Sequence, residues 1–427
     1  MKHICLPIFN RATYSRIQNL IESIEDGNKI DLTVVLSSSL LQSEYGNASE
    51  TYIKDRYKKV KVVEIEVPEV KSHLDMALTS AVILDKFARF YADNKFDMIL
   101  IVADRFEMLP AAIAASYQNI PVIHVQGGEI SGNIDDKVRH AITKLADAHY
   151  VATHLAKKYV LKMGEEPDRV KRLGCPSLDL IRRYRAKRVL HPKGKHIICI
   201  FHPDTKLHPG VAREQTECVM KAVVEYCRTF DHYCHWFWPN PDPNRVEIAE
   251  FLEETYQQSE GVIRKIVNIP NDKFLKMLAR TRMIIGNSSC GLRESSFIGV
   301  PSVNIGPRQH IRQRATNVFE VPDFDWHSIV SAMVYQHDQK SYEKSELFGS
   351  GRASHLFVRH LDEYDQGIKG SLQYPYWTEF EDEHFRRDQL QQTRKRYAWS
   401  KHTEAIRPYA KRGYIQSEFK ALRPVDC

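Results

Sequence analysis

What the chain lacks narrows it first. Its 427 residues contain no apolar stretch approaching the roughly 18 consecutive residues that cross a bilayer. The opening, MKHICLPIFNRATYSR, has no apolar signal core followed by a small-residue cleavage site. A soluble, cytoplasmic protein without membrane contact is the expectation. The phosphate-binding fingerprints GxGxxG and GxxxxGK[ST] are both absent, which argues against a bound dinucleotide and against a P-loop NTPase. The eight cysteines are scattered. Cys5, Cys199 and Cys234 sit inside apolar runs where a thiol behaves as a small hydrophobe, so no disulfide framework is implied. No internal repeat at the scale of a solenoid is visible.

Charge is neither extreme nor concentrated. A formal net charge of +7 suits anionic small molecules as well as nucleic acid, but Lys and Arg form no dense tract before residue 360, so no nucleic-acid partner is expected. The segment RRDQLQQTRKR beyond it is flanked by the acidic EDE, which opposes phosphate. Cys227, His232, Cys234 and His235 invite a metal reading. Within the strand-like HYCHWFW, however, residues 232 and 234 face away from residue 235, so no metal site and no cofactor are expected.

What is present is an alternation of β-branched apolar runs and helical patterns, the mark of parallel sheets flanked by helices. Strands are predicted at His3 to Ile8, Leu32 to Leu36, Val60 to Val67, Met98 to Val102 and Pro121 to Val125. Helices are predicted at Ala12 to Glu25, His73 to Asn94, Phe106 to Gln118 and Asp135 to Ala148. A basic, proline-containing stretch from Arg182 to Lys195 reads as a linker. Strands then recur at His196 to Phe201, Tyr233 to Trp238, Val262 to Ile266, Met283 to Gly286 and Pro301 to Ile305. The length suits two domains. The predicted organisation is an α/β protein of two Rossmann-like domains facing a central cleft: residues 1–186 on one side, 187–365 on the other, with the last helix of the second crossing back. Residues 366–427, aromatic and highly charged, are expected to form an appended helical arm.

Ligands of open parallel sheets bind at the carboxyl ends of the strands, so the chemistry is sought there. Asp104 and Arg105 follow the strand ending at Val102, placed to hold an anion and to act as acid or base. HVQGGEISGNIDDKVRHAITKL then surrounds the glycine pair Gly127 and Gly128 with His124, Glu129, Asp135, Asp136, Arg139 and His140. The glycines are expected to let backbone approach a ligand. In the second half His202 ends a strand, and Ser288 and Ser289 within GNSSCGLRES can present N–H groups to phosphate. Glu294 stands where it could accept ribose hydroxyls, and Arg308 where it could clamp a diphosphate.

Taken in order, NRATYS (Asn10 to Ser15), DRFEML (Asp104 to Leu109), HVQGGEISGNIDDKVRHAITKL, GCPSLD (Gly174 to Asp179), HPDTK, WPNPD (Trp238 to Asp242), IGNSSCGLRES and NIGPRQ resemble the hydrolysing UDP-N-acetylglucosamine 2-epimerases of sialic-acid and related nonulosonic-acid biosynthesis, over residues 1 to about 365. The resemblance implies a metal-independent glycosyltransferase-B type fold, assembled as homodimers or homotetramers. It also implies removal of the C2 proton, expulsion of UDP to give a glycal, and addition of water to yield N-acetylmannosamine. Carried over, Asp104 and Asp135 become catalytic carboxylates. Arg11, Arg105, His202, Ser288, Ser289 and Arg308 become diphosphate contacts, and Glu294 the ribose ligand. Many relatives carry glutamate where Gln126 stands; since glutamine exchanges no proton, His124, Glu129 or Asp136 would substitute. Competing expectations are the same reaction on a UDP- or GDP-linked 2,4-diacetamido-2,4,6-trideoxyhexose, a transferase of the same fold, or a non-catalytic sugar-nucleotide-binding protein.

Overall fold

The computed structural model describes residues 1–132, 134–185, 194–202, 210–239, 245–339, 341–365 and 367–369. The expected arm therefore lies outside the described residues, apart from its first few positions. So does all of the HPDTK segment beyond His202.

In the first half the strands β1 (Lys2–Ile8), β2 (Ile30–Ser37), β3 (Lys61–Ile65), β4 (Met98–Val102), β5 (Val122–Val125), β6 (Ala148–Val151) and β7 (Val170–Arg172) alternate with helices. These are α1 (Arg11–Gly27), α2 (His73–Asp93), α3 (Met108–Tyr117), α4 (Ile134–Leu145), α5 (His154–Lys162) and α6 (Ser177–Arg185). The second half contributes β8 (His196–Ile200), β9 (Tyr233–Phe237), β10 (Ile263–Ile266), β11 (Ile284–Gly286), β12 (Ser302–Ile305) and β13 (Val318–Val321). Its helices are α7 (Val211–Phe230), α8 (Arg245–Tyr256), α9 (Asn271–Leu278), α10 (Glu294–Ile298), α11 (Trp326–Asp338) and α12 (Ala353–Asp362).

All strand pairs are parallel, in the orders β3-β2-β1-β4-β5-β6-β7 and β10-β9-β8-β11-β12-β13. Parallel strands are covered on both faces, which is why β4 (MILIV) is an unbroken apolar run with every residue buried. Helix starts follow local chemistry. Asn10 caps α1 by accepting from Thr13 N at 2.8 Å, and Ser72 and Asp75 form a capping box on α2. The stripe Ile17, Leu20, Ile21 and Ile24 then buries one face of α1 against the first sheet.

The order of each sheet reverses once in the middle, between β1 and β4 and between β8 and β11. Such a reversal leaves a crevice beyond the strand ends, because the connecting helices depart to opposite faces. Gly286 closes β11 at φ +118, where an added Cβ would stand 2.1 Å from the Ile200 carbonyl, so only glycine lets these two central strands pair to their ends.

Helices are exchanged across the two sheets. From α6, Leu178 and Ile181 pack with Ile198, Ile284 and Leu278 of the second half. From α12, Ala353, Phe357 and Leu361 pack into the core of the first sheet. Asp179 in α6 accepts from the amides of Ala353 (2.9 Å) and Ser354 (2.6 Å), capping α12 from the far side of the sequence.

All ten predicted strands are present, with small shifts of their ends. Three more, β6, β7 and β13, each of three or four residues, were not predicted. The helix predicted to run to Ala148 stops at Leu145, since Ala148 already pairs in β6. The predicted linker begins inside a helix: residues 182–185 continue α6.

Candidate active site

The two reversal points face each other across a cleft of 1330 Å³ that includes space open to solvent. Five strand ends and the start of α4 supply its walls. On the first side, Asn10, Arg11 and Arg16 follow β1, and Asp104 and Arg105 follow β4, with Asp135 from the start of α4. On the second side, His202 follows β8, Ser288, Ser289, Cys290 and Glu294 follow β11, and Arg308 and Arg312 follow β12.

Asp104 is aimed by strain and by charge. The chain leaves β4 through Ala103 at φ 67, a left-handed conformation that a non-glycine residue adopts only when its surroundings insist. Here His124 insists: its Nε2 lies 2.9 Å from the Ala103 carbonyl, to which it donates, and its Nδ1 lies 3.1 Å from the Thr143 hydroxyl. Arg139, 1% exposed, donates from Nε to Asp104 Oδ2 at 3.0 Å and from Nη2 to the same oxygen, while its Nη1 reaches Asp136 and the Glu129 carbonyl. Burial pushes the Asp104 carboxyl up, but the charges of Arg139, Arg312 and Arg16 outweigh it and hold the group well below the usual range. Asp104 is thus ionised near neutral pH, fit to stabilise positive charge that develops beside it.

The opposite wall is tied by one amide. Asn287 accepts from the His202 amide at 2.9 Å and donates to the His202 carbonyl at 2.8 Å, joining the ends of β8 and β11. Arg308 donates from Nη1 to the Asn287 carbonyl at 3.1 Å. Glu294, the first residue of α10, has its Oε2 buried without a hydrogen-bond partner among the described residues. A buried carboxylate oxygen left unsatisfied beside a cleft is a ready acceptor for ligand hydroxyls.

Of the residues singled out in the sequence, Arg11, Asp104, Arg105, Asp135, His202, Ser288, Ser289, Glu294 and Arg308 line the cleft. Arg11, expected on a diphosphate, donates here to the carbonyls of Trp238 and Val267 and so links the two halves. Arg105 is engaged in a two-point pair with Glu107 at 3.1 and 3.2 Å. The other eight are not among the residues that line the cleft. Gly127 and Gly128 are small for the protein's own sake: a Cβ would meet His124 Nδ1 at 2.8 Å in the first case and the Ala156 carbonyl at 2.3 Å in the second. His124 and Arg139 are buried props of Asp104. Asp136 is consumed in holding the amides of Ser131 (2.8 Å) and Gly132 (2.7 Å). Glu129 pairs with Arg293. Gln126, 1% exposed and at φ 66, accepts from Arg293 at 2.9 Å and turns its amide nitrogen to Cys175. His140 lies on α4 outside the lining.

Sequence reading missed Arg16, Arg293 and Arg312. Arg16 lines the cleft with no hydrogen bond or ion pair to another described residue. Its signal was faint: an arginine five positions after Arg11, on the same helix. Arg312 repeats Arg308 one turn later in RQHIR, a spacing visible in the sequence once the segment is known to curl back to the cleft.

Comparison with known proteins identifies the arrangement. Residues 22–362 match the family described as UDP-N-acetylglucosamine 2-epimerase. The chain belongs to the UDP-N-acetylglucosamine 2-epimerase family. Among curated relatives of this epimerase, the Legionella pneumophila protein named UDP-N,N'-diacetylbacillosamine 2-epimerase (hydrolyzing) is 29% identical, over 81% of the chain and 91% of the relative. The Escherichia coli polysialic acid biosynthesis protein P7 is 30% identical, over 80% and 87%. Among solved structures, the Neisseria meningitidis UDP-GlcNAc 2-epimerase bound to UDP-GlcNAc superposes with a TM-score of 0.68 at 17% identity, covering 85% of this chain and all of that one. The Methanocaldococcus jannaschii UDP-GlcNAc 2-epimerase gives 0.69 at 16% identity over the same share. The epimerase thus has the glycosyltransferase-B type fold. Among its described residues, no helix is long and apolar enough to cross a membrane.

Acid should weaken this epimerase before it reaches the carboxylate range. Burial lowers His124 to about 3, and burial with neighbouring cations lowers His235 and His337 to about 4. Since these pKa values lie below that of an unfolded histidine, the unfolded state binds more protons as pH falls from about 6.5 toward 4, and stability drops through that window. The ionised Asp104 and Glu129 add a further loss below it, and the raised carboxyls of Asp179 and Glu320 act in the opposite sense. Urea midpoints measured from pH 7 to pH 4 should decline steadily; a flat profile contradicts the assignment.

Proposed function

We propose that the protein is a hydrolysing 2-epimerase that converts UDP-N-acetylglucosamine to N-acetylmannosamine and UDP through a glycal. One observation carries the reading: the reversal points of both sheets open on a single cleft, with Asp104 and Asp135 on one wall and Arg308, Ser288, Ser289 and Glu294 on the other. Elimination across C1 and C2 needs a base for the C2 proton and positive or N–H groups for the departing diphosphate, and the two walls divide those tasks. Asp104, ionised, accepts the C2 proton or stabilises the charge that develops at C1, with Asp135 as the second sugar-side carboxylate. Arg308 and the hydroxyl-rich turn after β11 take the diphosphate, and Glu294 takes the ribose hydroxyls.

A second reading keeps the reaction and changes the sugar to a UDP- or GDP-linked 2,4-diacetamido-2,4,6-trideoxyhexose. It is favoured by the identity to the Legionella relative, 29%, against 24% to the Neisseria meningitidis UDP-N-acetylglucosamine 2-epimerase. Incubation with each nucleotide sugar in D2O, followed by NMR, separates them. The expected result is UDP together with N-acetylmannosamine deuterated at C2; release of UDP only from the diacetamido sugar selects the second reading, and no release from either rejects both. Glu294→Gln keeps the shape but removes the negative charge and replaces one acceptor oxygen by an NH2 donor. It should weaken UDP binding about tenfold, the cost of roughly one charge-assisted hydrogen bond, as read by titration calorimetry. Unchanged affinity takes Glu294 out of nucleotide binding.

A further inference from the structure

Behind the wall that carries Asp104 lies a second, smaller pocket. The loop after β5 and the start of α5 (Gly128, Glu129, Thr153, Leu155) form one side, and Arg312 and Phe348 stand opposite. Its interior admits about one water. Arg312 lines this pocket and the main cleft alike, so its guanidinium is the partition between them.

The partition is loosely held. Arg312 Nε is 3.5 Å from Glu129 and Nη2 is 3.8 Å from Asp104, both too long for hydrogen bonds, whereas Arg139 and Arg293 are firmly bonded to the same carboxylates. Two charged atoms of residues that line this pocket, Glu129 Oε1 and Arg312 Nε, are buried and have no hydrogen-bond partner among the described residues. Buried charged atoms rarely stay unpaired, and a water accepting from Nε–H and donating to Oε1 would satisfy both at once.

We propose that this pocket holds the water that is added to the glycal, oriented by Glu129 and released to the sugar by displacement of the Arg312 side chain. The proposal rests on the epimerase reading. In the hydration step the water oxygen bonds to C1 as the C1=C2 electron pair takes a proton at C2 from an acid of the cleft. The water gives its proton to Glu129, which returns it to solvent, and the acid is reloaded from solvent. Water attached to an oxocarbenium carbon is strongly acidic, so even a carboxylate held ionised by arginines accepts its proton. The reaction needs no oxidant or further reactant.

The test separates elimination from hydration. UDP release from UDP-N-acetylglucosamine is measured beside hydration of added 2-acetamidoglucal in the presence of UDP. Leu155→Phe fills the pocket from the α5 side, and Ile311→Phe fills it from an exposed position that tolerates size. Each should slow glycal hydration by about tenfold or more, so that glycal accumulates, and leave UDP release within about twofold. Leu155→Ala, which opens the pocket, should leave both rates unchanged. The proposal is overturned if the filling variants slow both steps in parallel or slow neither. No UDP release by the unaltered protein is a different failure: it removes the epimerase reading, and the water site with it.

Discussion

Asp104→Asn is expected to lower UDP release from the nucleotide sugar by about a thousandfold, within the range by which a positioned acid or base accelerates proton transfer. The amide matches the carboxylate in size, so the cleft keeps its shape, but it neither accepts a proton nor offsets a developing positive charge. Arg139 loses the charge of its main partner but keeps an amide oxygen to donate to there, together with Asp136 and the Glu129 carbonyl. The fold should therefore survive with a cost of about 1–3 kcal/mol, the usual range for weakening a buried hydrogen bond between charged groups. Parallel measurement of turnover and of the thermal midpoint checks both parts. Near-normal turnover in a folded variant would remove Asp104 from the chemistry.

Arg139→Met should be worse for stability and as damaging for activity. Arg139 touches no part of the cleft, yet it is the common donor to Asp104, Asp136 and the Glu129 carbonyl, and it is 1% exposed. Methionine fills the space and leaves two carboxylates facing one another without a cation between them. Removing one member of a buried charge set costs about 3–5 kcal/mol, since the remaining charges stay desolvated. Asp104 would also lose the largest favourable charge acting on it, so its carboxyl should rise toward or above the usual range. The expected result is a large fall in the urea midpoint, together with a pH–rate profile whose acid limb moves to higher pH. A variant as stable as the parent would mean that Asp104 and Asp136 are satisfied in some other way.

These two residues illustrate what was legible in advance. Asp104 follows an apolar run and precedes a helix, so its place at a strand end could be read from the order of residues alone. Arg139 could be seen to belong to the same segment as Asp135 and His140, but helical periodicity does not say which face of α4 meets the sheet. The structure turns Asp135 to the cleft and Arg139 inward. The same blindness explains the glycine pair: Gly127 and Gly128 signal close approach of something, and whether that something is ligand or Ala156 is decided by where α5 packs.

The linear order of residues determined the alternation of strand and helix, the carboxyl ends at which polar groups collect, and the family motifs spread over the chain. Those are local consequences of side-chain shape and polarity, acting over spans of a few residues. Only the tertiary structure decided that β1 pairs with β4 and β8 with β11, and that α6 and α12 change sides. It alone gathered Arg139, Arg293 and Arg312 around Asp104, Glu129 and Asp136. Such choices depend on burying surfaces contributed by segments far apart in the chain, and no local pattern carries that information.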